Sequence, residues 1–464
     1  GTKTHIYKRS EKDVFVGTVL VPKSGARSAA KSGQKGAVLR PKNMRWGWSK
    51  YMLRRWSAAV VAALVLHGNI TSGTEVLVKV MFPPEVQAAY AAMCLDGSPA
   101  GYYLAEHPES TGWVMYLQGG GLCFTAKDCK NRTSTVLGSS LLWPPNMTDS
   151  SNVLSATEDG NPFGGFSKVW VPYGTGDCFT GTSVANPHLG GLATTGHNVL
   201  NAVVDHLINT TAFRRVTHML FSGGSAGGIG VFHNVDWLAD AIRVRANPSA
   251  VVKASPQGGY FVPHNVMLYR EFAAGIRVPL DIAASYYVHW LEGGYMNPAC
   301  AAAMGDKKAR CWDVDVLQQY LKTPLFVAQN QLDSEQLEYQ MGCDVCSYHP
   351  NGTAAKFMAD YKNLTVASLR KFLAAGENRA VWAPSCFKHC ENLCMGRKES
   401  PPVIGGVSYA EGLREWFFDG TGNNAAHIQD CRPGDLLCTP VCGSGCEGAP
   451  GSPGGRADPP TPPN

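Results

Sequence analysis

Short apolar runs alternate with stretches of helical period over most of the chain. Residues 113–118 (WVMYLQ), 168–172 (KVWVP), 216–221 (VTHMLF) and 324–329 (PLFVAQ) are continuous and too short for helices, and they predict buried strands. Between them, residues 195–209 place Val199, Leu200, Val203, Val204, Leu207 and Ile208 at helical spacing, and 226–242 reads as a second helix. Strands alternating with helices predict an α/β sandwich with a mostly parallel central sheet. In such sheets the chemistry collects at the carboxyl ends of the strands. Composition is steady over 75–430, with no Pro/Gly linker and no internal repeat, so the body (74–430) reads as one domain. A cysteine-rich extension follows at 431–446, and then a Pro/Gly-rich tail at 447–464 whose composition predicts disorder.

Composition narrows the class. The chain has 464 residues, 44% of them hydrophobic and 17% charged, a globular balance. The net charge of +5 hides an asymmetry: residues 1–56 carry 14 Lys and Arg against two acids, and the remainder carries 27 against 34. With its basic start removed the body is acidic, which argues against nucleic acid as a partner. The chain begins with Gly, and its first methionine is Met44. From there it reads as a basic region (MRWGWSKYMLRRW), an apolar region (SAAVVAALVL) and a polar stretch with small residues (HGNITSG). An apolar helix of about ten residues spans about 15 Å, half the thickness of a bilayer core. A signal peptide over 44–73 fits better than an anchor, and residues 1–43 read as upstream sequence or a presequence without a fold. No later run is long enough to span a membrane.

The chemistry-bearing motifs sit where the strands end. Residues 223–227 are Gly-Gly-Ser-Ala-Gly, a G-x-S-x-G pattern between a predicted strand and a predicted helix. A sharp strand-to-helix turn presents Ser225 as a nucleophile at a helix amino terminus, where developing negative charge is favoured. Taken without that context, the same residues are only a glycine-rich turn. Gly119, Gly120 and Gly121 follow strand 113–118. Backbone amides approach a substrate oxygen closely only where side chains are absent, so Gly120 and Gly121, with Ala226 after the nucleophile, are the candidate oxyanion donors. A nucleophilic serine needs a base and an acid that orients it, in chain order Ser, Asp/Glu, His. Asp333 lies just beyond strand 324–329, with Glu335 as its local rival. Three histidines follow it: His349, His389 and His427. His389 lies between Cys386 and Cys390, where disulfides would hold the loop rigid as a general base requires, so it is the preferred base.

All 15 cysteines lie beyond the apolar region, from Cys94 onward. Cys386, Cys390 and Cys394 with His389, or Cys343 with Cys346, can be read as zinc ligands, but neither group has the paired spacing of a standard zinc module. Disulfides are the better reading, with Cys123 beside Cys129 and Cys300 beside Cys311 suggesting local loops. An odd count leaves at least one thiol free or paired between chains. Acceptor sequons start at Asn69, Asn131, Asn146, Asn209, Asn351 and Asn363, which agrees with secretion.

These segments together resemble the pectin acetylesterase/Notum family. The resemblance runs over about residues 77–430, through CLDGSPAGYYL from Cys94, WVMYLQGGGLC, VPYGTGDCFTG, FSGGSAGG, QLDSEQ and SCFKHC. It implies a secreted, disulfide-bonded α/β-hydrolase without metal or cofactor, with nucleophile Ser225, acid Asp333, base His389 and oxyanion donors Gly120, Gly121 and Ala226. It also implies a serine carboxylesterase that removes O-acetyl groups from a pectin-like cell-wall polysaccharide. The alternative inside the family is removal of a fatty acyl group from a secreted protein. A non-catalytic secreted binding protein on the same fold is the alternative of another class; it would be expected to lack a triad member. The chain departs from the family pattern in three places, one of them the terminal cysteine cluster and tail, for which the resemblance offers no counterpart. Leu122 stands where an aromatic is usual in the glycine loop, and VPYGTGDCFTG carries its cysteine at 178, whereas many relatives have one just after the tyrosine.

Overall fold

The computed structural model describes residues 75–442, apart from 124, 150–152, 156–159, 263–293, 342, 344–345, 347–351, 391–400, 421–423 and 433. The expected signal peptide, presequence and tail, and His349 and Cys394, lie outside the described residues.

Ten strands form one sheet: β1 (Glu75–Met81), β2 (Gly101–Ala105), β3 (Gly112–Leu117), β4 (Asn146–Asp149), β5 (Ser167–Val171), β6 (His218–Gly224), β7 (Val251–Gln257), β8 (Leu325–Ala328), β9 (Arg379–Ala383) and β10 (Ala426–Ile428). Their order is β10-β9-β8-β7-β6-β3-β5-β2-β1-β4. All pairs from β10 to β5 are parallel, and β2, β1 and β4 add an antiparallel flank. The four predicted strands are β3, β5, β6 and β8, each shifted by no more than three residues at either end. The predicted helices are α3 (Gly196–Thr210) and α4 (Ala226–Arg245). Three more helices matter below: α1 (Pro84–Tyr90), α2 (Ala126–Arg132) and α5 (Gly352–Ala374).

The continuous apolar runs have a structural reason. Strands at the centre of a parallel sheet are covered on both faces, so successive side chains enter opposite cores. In β3, Trp113, Met115 and Leu117 join one core with Val199, Val203 and Phe232, while Val114 and Tyr116 join the other with Trp382, Tyr409 and Trp416. Trp113 meets the Phe213 ring edge-on at 5.0 Å, a contact worth about 1 kcal/mol beyond its burial. Lys168 in β5 breaks the apolar rule. It is fully buried, and its Nζ donates to Glu75 Oε2 and Gly164 O, both at 2.6 Å. A buried ammonium persists only with such partners.

The topology fixes where the chemistry can sit. The chain leaves β3 for β5 on one side, then returns to β6 on the other. The carboxyl ends of β3 and β6 therefore lie side by side at the reversal point, where parallel sheets open a crevice. The loops after β3 and β6 carry Gly119–Gly121 and Ser225. Among the described residues, no helix is long and apolar enough to cross a membrane.

Candidate active site

Ser225 links β6 directly to α4. Its backbone is left-handed, with φ 56° and ψ −122°, an arrangement that costs a residue with a Cβ about 1–3 kcal/mol. Its neighbours hold that strain. Ser225 N–H donates to Gln257 O at 2.9 Å, and Ser225 O accepts from Ile229 N–H at 3.0 Å as the first bond of α4. A Cβ on Gly223 would lie 2.7 Å from Gly227 O, and one on Gly224 would lie 2.6 Å from the Tyr116 hydroxyl. Those glycines are therefore fixed by space. Ala226 opens α4, so its amide belongs to the first helical turn, whose N–H groups have no intrahelical acceptor.

The glycine loop after β3 lies against this turn. A Cβ on Gly119 would come within 2.9 Å of Ser225 Cβ. Gly120 and Gly121 have φ of +147° and +65°, a conformation that side-chain-bearing residues avoid. Arg132 Nη1 donates to Gly120 O at 2.9 Å, and the Cys123–Cys129 disulfide closes the loop onto α2. Leu122 packs partly buried against the main core.

Beneath this loop stands Tyr173, whose ring would lie 3.3 Å from a Cβ on Gly120. The following segment turns back through Cys178 and Phe179, both left-handed at φ 50° and 60°. Asp177 organises that turn. Its carboxylate accepts from Thr175 Oγ1 at 2.6 Å and from the amides of Phe179, Gly181 and Gly196 at 2.8–3.1 Å. Burial raises the Asp177 pKa to about 6 against the pull of those donors. Tyr173 OH accepts from Cys178 N–H at 2.8 Å, and Asn234 Nδ2 donates to Phe179 O at 2.9 Å.

The remaining two candidates meet at the ends of β8 and β9. Asp333 is fully buried, and His389 Nδ1 lies 3.0 and 2.8 Å from its two oxygens. The carboxylate also accepts from Gln329 Nε2 at 2.9 Å and Gln336 N–H at 3.0 Å. Asn330 Nδ2 fixes the His389 carbonyl at 2.5 Å. Burial opposes charge on His389, but Asp333 and the neighbouring Cys390 overcome it and hold the imidazole well above the ordinary histidine range. The side chain keeps 13% exposure, while Nε2 itself is buried. A Cβ on Gly258 would lie 3.4 Å from His389 Cε1, and Gly258 follows the Gln257 whose carbonyl holds Ser225 N–H. The imidazole thus stands one residue from the backbone partner of Ser225. Of the candidate acids, Asp333 is bonded to His389. His427 lies in the edge strand β10, opposite Trp382.

Disulfides and chain packing set this loop. Cys386, three residues before His389, bonds to Cys442 of the cysteine-rich extension. Ser385 N–H donates to Thr439 Oγ1 at 2.8 Å, and Ser385 Oγ donates to Leu436 O at 2.7 Å. Lys362 Nζ on α5 holds the carbonyls of Asp435 and Leu436. The expected pairs Cys123–Cys129 and Cys300–Cys311 are present, together with Cys343–Cys346 and Cys431–Cys438. Cys94 and Cys178 are buried free thiols, and burial pushes the pKa of Cys94 up to about 12. Among the described residues no group of three His, Cys, Asp or Glu stands where it could hold a metal ion.

The sequence singles out Ser225, Asp333, His389 and the glycines. It does not point to Gln329, Asn330, Gln336, Asp177 or Arg132, which hold those groups in place. One signal is available: QNQLDSEQ (329–336) is polar yet directly follows a buried strand, and six of its eight residues, all but Ser334 and Glu335, are fully buried. Polar residues that deep must be bonded to something.

A family model described as Pectinacetylesterase matches residues 76–442. Palmitoleoyl-protein carboxylesterase notum1a of Danio rerio is 28% identical over 363 residues, covering 75% of this chain and 70% of the relative. Pectin acetylesterase 11 of Arabidopsis thaliana is 25% identical over 412 residues, covering 85% and 98%. The solved structure of the Wnt deacylase Notum from Drosophila superposes with a TM-score of 0.64 at 25% identity, over 80% of this chain and 100% of that one. With the sheet, the disulfides and a family match reaching from β1 to Cys442, the chain belongs to the pectinacetylesterase family, a family of carboxylesterases.

Proposed function

We propose that this chain is a secreted serine carboxylesterase whose triad is Ser225, His389 and Asp333. The observation that carries the reading is the Asp333–His389 pair, bonded at 2.8 Å and one residue removed from the backbone partner of a left-handed serine. His389 takes the Ser225 hydroxyl proton as Oγ attacks an ester carbonyl. Asp333 fixes the ring through Nδ1 and stabilises the imidazolium. The amides of Gly120, Gly121 and Ala226 hold the tetrahedral oxyanion. His389 then protonates the leaving alcohol, and water, activated by the same ring, releases the acid.

The substrate we favour is an O-acetyl ester on a pectin-like polysaccharide, in line with the family model and the plant relative. A fatty acyl group on a secreted protein is the second reading, favoured by the likeness to palmitoleoyl-protein carboxylesterases and to Notum. Acyl-chain preference separates them, because a long chain needs a deep apolar pocket. The test is hydrolysis of p-nitrophenyl acetate against p-nitrophenyl octanoate by the secreted protein, with Ser225→Ala as control. Turnover lost in Ser225→Ala supports the triad, and preference for the octanoate moves the substrate to a fatty acyl group. Folded, disulfide-intact protein without turnover would overturn the esterase reading in favour of a binding protein.

A further inference from the structure

Among the described residues the sheet ends at β4, which pairs antiparallel with β1. Val76 stands opposite Thr148, Leu77 opposite Met147, and Val78 opposite Asn146. Opposed residues in such a pair share a face, and alternate residues along a strand share it too. Leu77 and Met147 therefore turn together into the core around Trp143 and Tyr103. Val76, Val78, Asn146 and Thr148 turn together to the other side, and all four are exposed, the valines at 51% and 53%. Val80 and Leu104, farther in on this same face, pack against the main core. The covering layer thus stops short and leaves two neighbouring aliphatic side chains bare at an open edge. Such an edge is a template for association with another chain unless something covers it.

The cover is specified on the same face. Asn146-Met147-Thr148 is an acceptor sequon, and its strand conformation sets the asparagine amide and the threonine hydroxyl side by side in the open. The other sequons with a described asparagine are helical. Thr133, Thr211 and Thr365 there donate to the carbonyls of Lys130, Leu207 and Tyr361, and Asn209 Nδ2 is spent on Asp205 O. We propose that Asn146 carries an N-linked glycan whose first sugars lie over Val76 and Val78 and cap the β4 edge. The donor is a lipid-pyrophosphate-linked oligosaccharide. Asn146 Nδ2 loses one proton and forms a bond to the anomeric carbon, whose bond to oxygen breaks as the lipid pyrophosphate leaves with the electron pair. Directly opposed side chains are only about 5 Å apart, so the first sugar emerges over Val78 and its C–H face meets the aliphatic pair. The inference rests on passage through a glycosylating compartment and on the geometry of this edge, not on the triad.

The experiment uses the full chain secreted from a eukaryotic host. Glycans are released by peptide N-glycosidase in ¹⁸O water, and the peptide spanning Asn146 is mapped by mass. The expected result is conversion of Asn146 to labelled Asp in most molecules. An unmodified Asn146 amide, in secreted or retained protein, overturns the proposal. Asn146→Gln and Thr148→Ala each lose one glycan and self-associate with rising concentration in light scattering, while Thr148→Ser keeps the glycan and behaves as wild type. Adding Val76→Thr and Val78→Thr to Asn146→Gln restores the dispersed state. If Asn146→Gln alone disperses as well as wild type, the glycan does not cover the valines. Ester hydrolysis on the same samples reports the site separately, so the two readings fail independently.

Discussion

The turn at Ser225 and the loop at His389 reach the same end of the sheet, but the first is held by the packed backbone of neighbouring strands and the second by a disulfide and side-chain hydrogen bonds. At Ser225 the constraint is steric: a left-handed φ, glycines at 223, 224 and 227 that leave no room for a Cβ against Gly227, Tyr116 and Leu117, and one bond to Gln257 of the adjacent strand. At His389 the holding groups come from far along the chain. Cys442 lies 56 residues from Cys386, and Asn330, Asp333 and Thr439 belong to other segments. A nucleophile on a strand-to-helix turn needs only that turn to be built. A base on a loop must have its loop built by partners, because loops carry few restraints of their own. The same elbow should therefore survive changes that disable the base loop, and the reverse.

The largest effects test the two chemical groups. Ser225→Ala and Asp333→Asn should each lower kcat by about 10⁴-fold, the second by leaving His389 without its orienting carboxylate. Ester hydrolysis with a chromogenic substrate checks this, and a loss below tenfold in either would place the chemistry elsewhere. Next comes a local break on the elbow side. Gly119→Ala puts a methyl group within 2.9 Å of Ser225 Cβ, and a displacement of that kind should cost about 10²-fold in kcat. Circular dichroism should show the fold intact, since the change touches one turn.

The distant clamp should give a smaller effect on rate and a larger one on stability. Cys386→Ser with Cys442→Ser should lower kcat by about tenfold and leave KM within twofold, as expected when a base loses rigidity and the substrate contacts stay. Unfolding stability should fall by about 2–4 kcal/mol in urea. An unchanged kcat would show that the hydrogen bonds from Asn330 and Asp333 hold the loop unaided.

The pH profile sharpens the comparison further. Because Asp333 holds the His389 pKa above its ordinary value, activity should rise with pH through a midpoint above the usual histidine range. Asp333→Asn should move the midpoint down, since burial then acts without the carboxylate opposing it. The sign for stability is the opposite of that for activity. With the folded pKa raised, the pair's contribution is fully present below the unfolded histidine pKa and is lost as pH rises through the folded one. Urea midpoints on either side of that range measure it.

The smallest effect on turnover is expected at the donor-loop side, where a covalent tie is missing. Gly174 follows Tyr173, and a Cβ there would lie 2.5 Å from Cys94 Sγ. Gly174→Cys should form a disulfide with Cys94, raise stability by about 2–4 kcal/mol and leave kcat unchanged. Thiol counting before and after reduction detects the bond. Cys178 does not substitute for that cysteine: it is buried, and its backbone N–H is bonded to the Tyr173 hydroxyl.

Much of the fold was legible because a parallel sheet writes itself as short unbroken apolar runs. β3, β5, β6 and β8 are such runs, and α3 shows its period because only one face is buried. β1, β2, β4, β7, β9 and β10 are not among the predicted strands. β1, β2, β4 and β10 lie on the flanks, where one face is partly open and the alternation is short. β7 and β9 are central, but Lys253, Ser255, Pro256 and Gln257 in one and Arg379 in the other break up the apolar run. Lys168 shows the opposite failure, since no pattern along β5 tells that Glu75 lies 93 residues away to neutralise it.

By itself the sequence determined those things that short-range physics controls. These are the elbow around Ser225, where a G-x-S-x-G pattern sits between a strand and a helix, and the glycine loop, where only residues without a Cβ can follow the backbone. They also include the order Ser, Asp, His that placed Asp333 and His389 as candidates. Tertiary structure alone decided which acid meets which histidine, and that Cys386 is tied to Cys442. It alone placed Gln329 and Asn330 as supports, and left Val76 and Val78 bare beside Asn146. Each of these depends on segments that the sheet brings together from far apart, and no local rule along a chain encodes which distant partner a side chain will face.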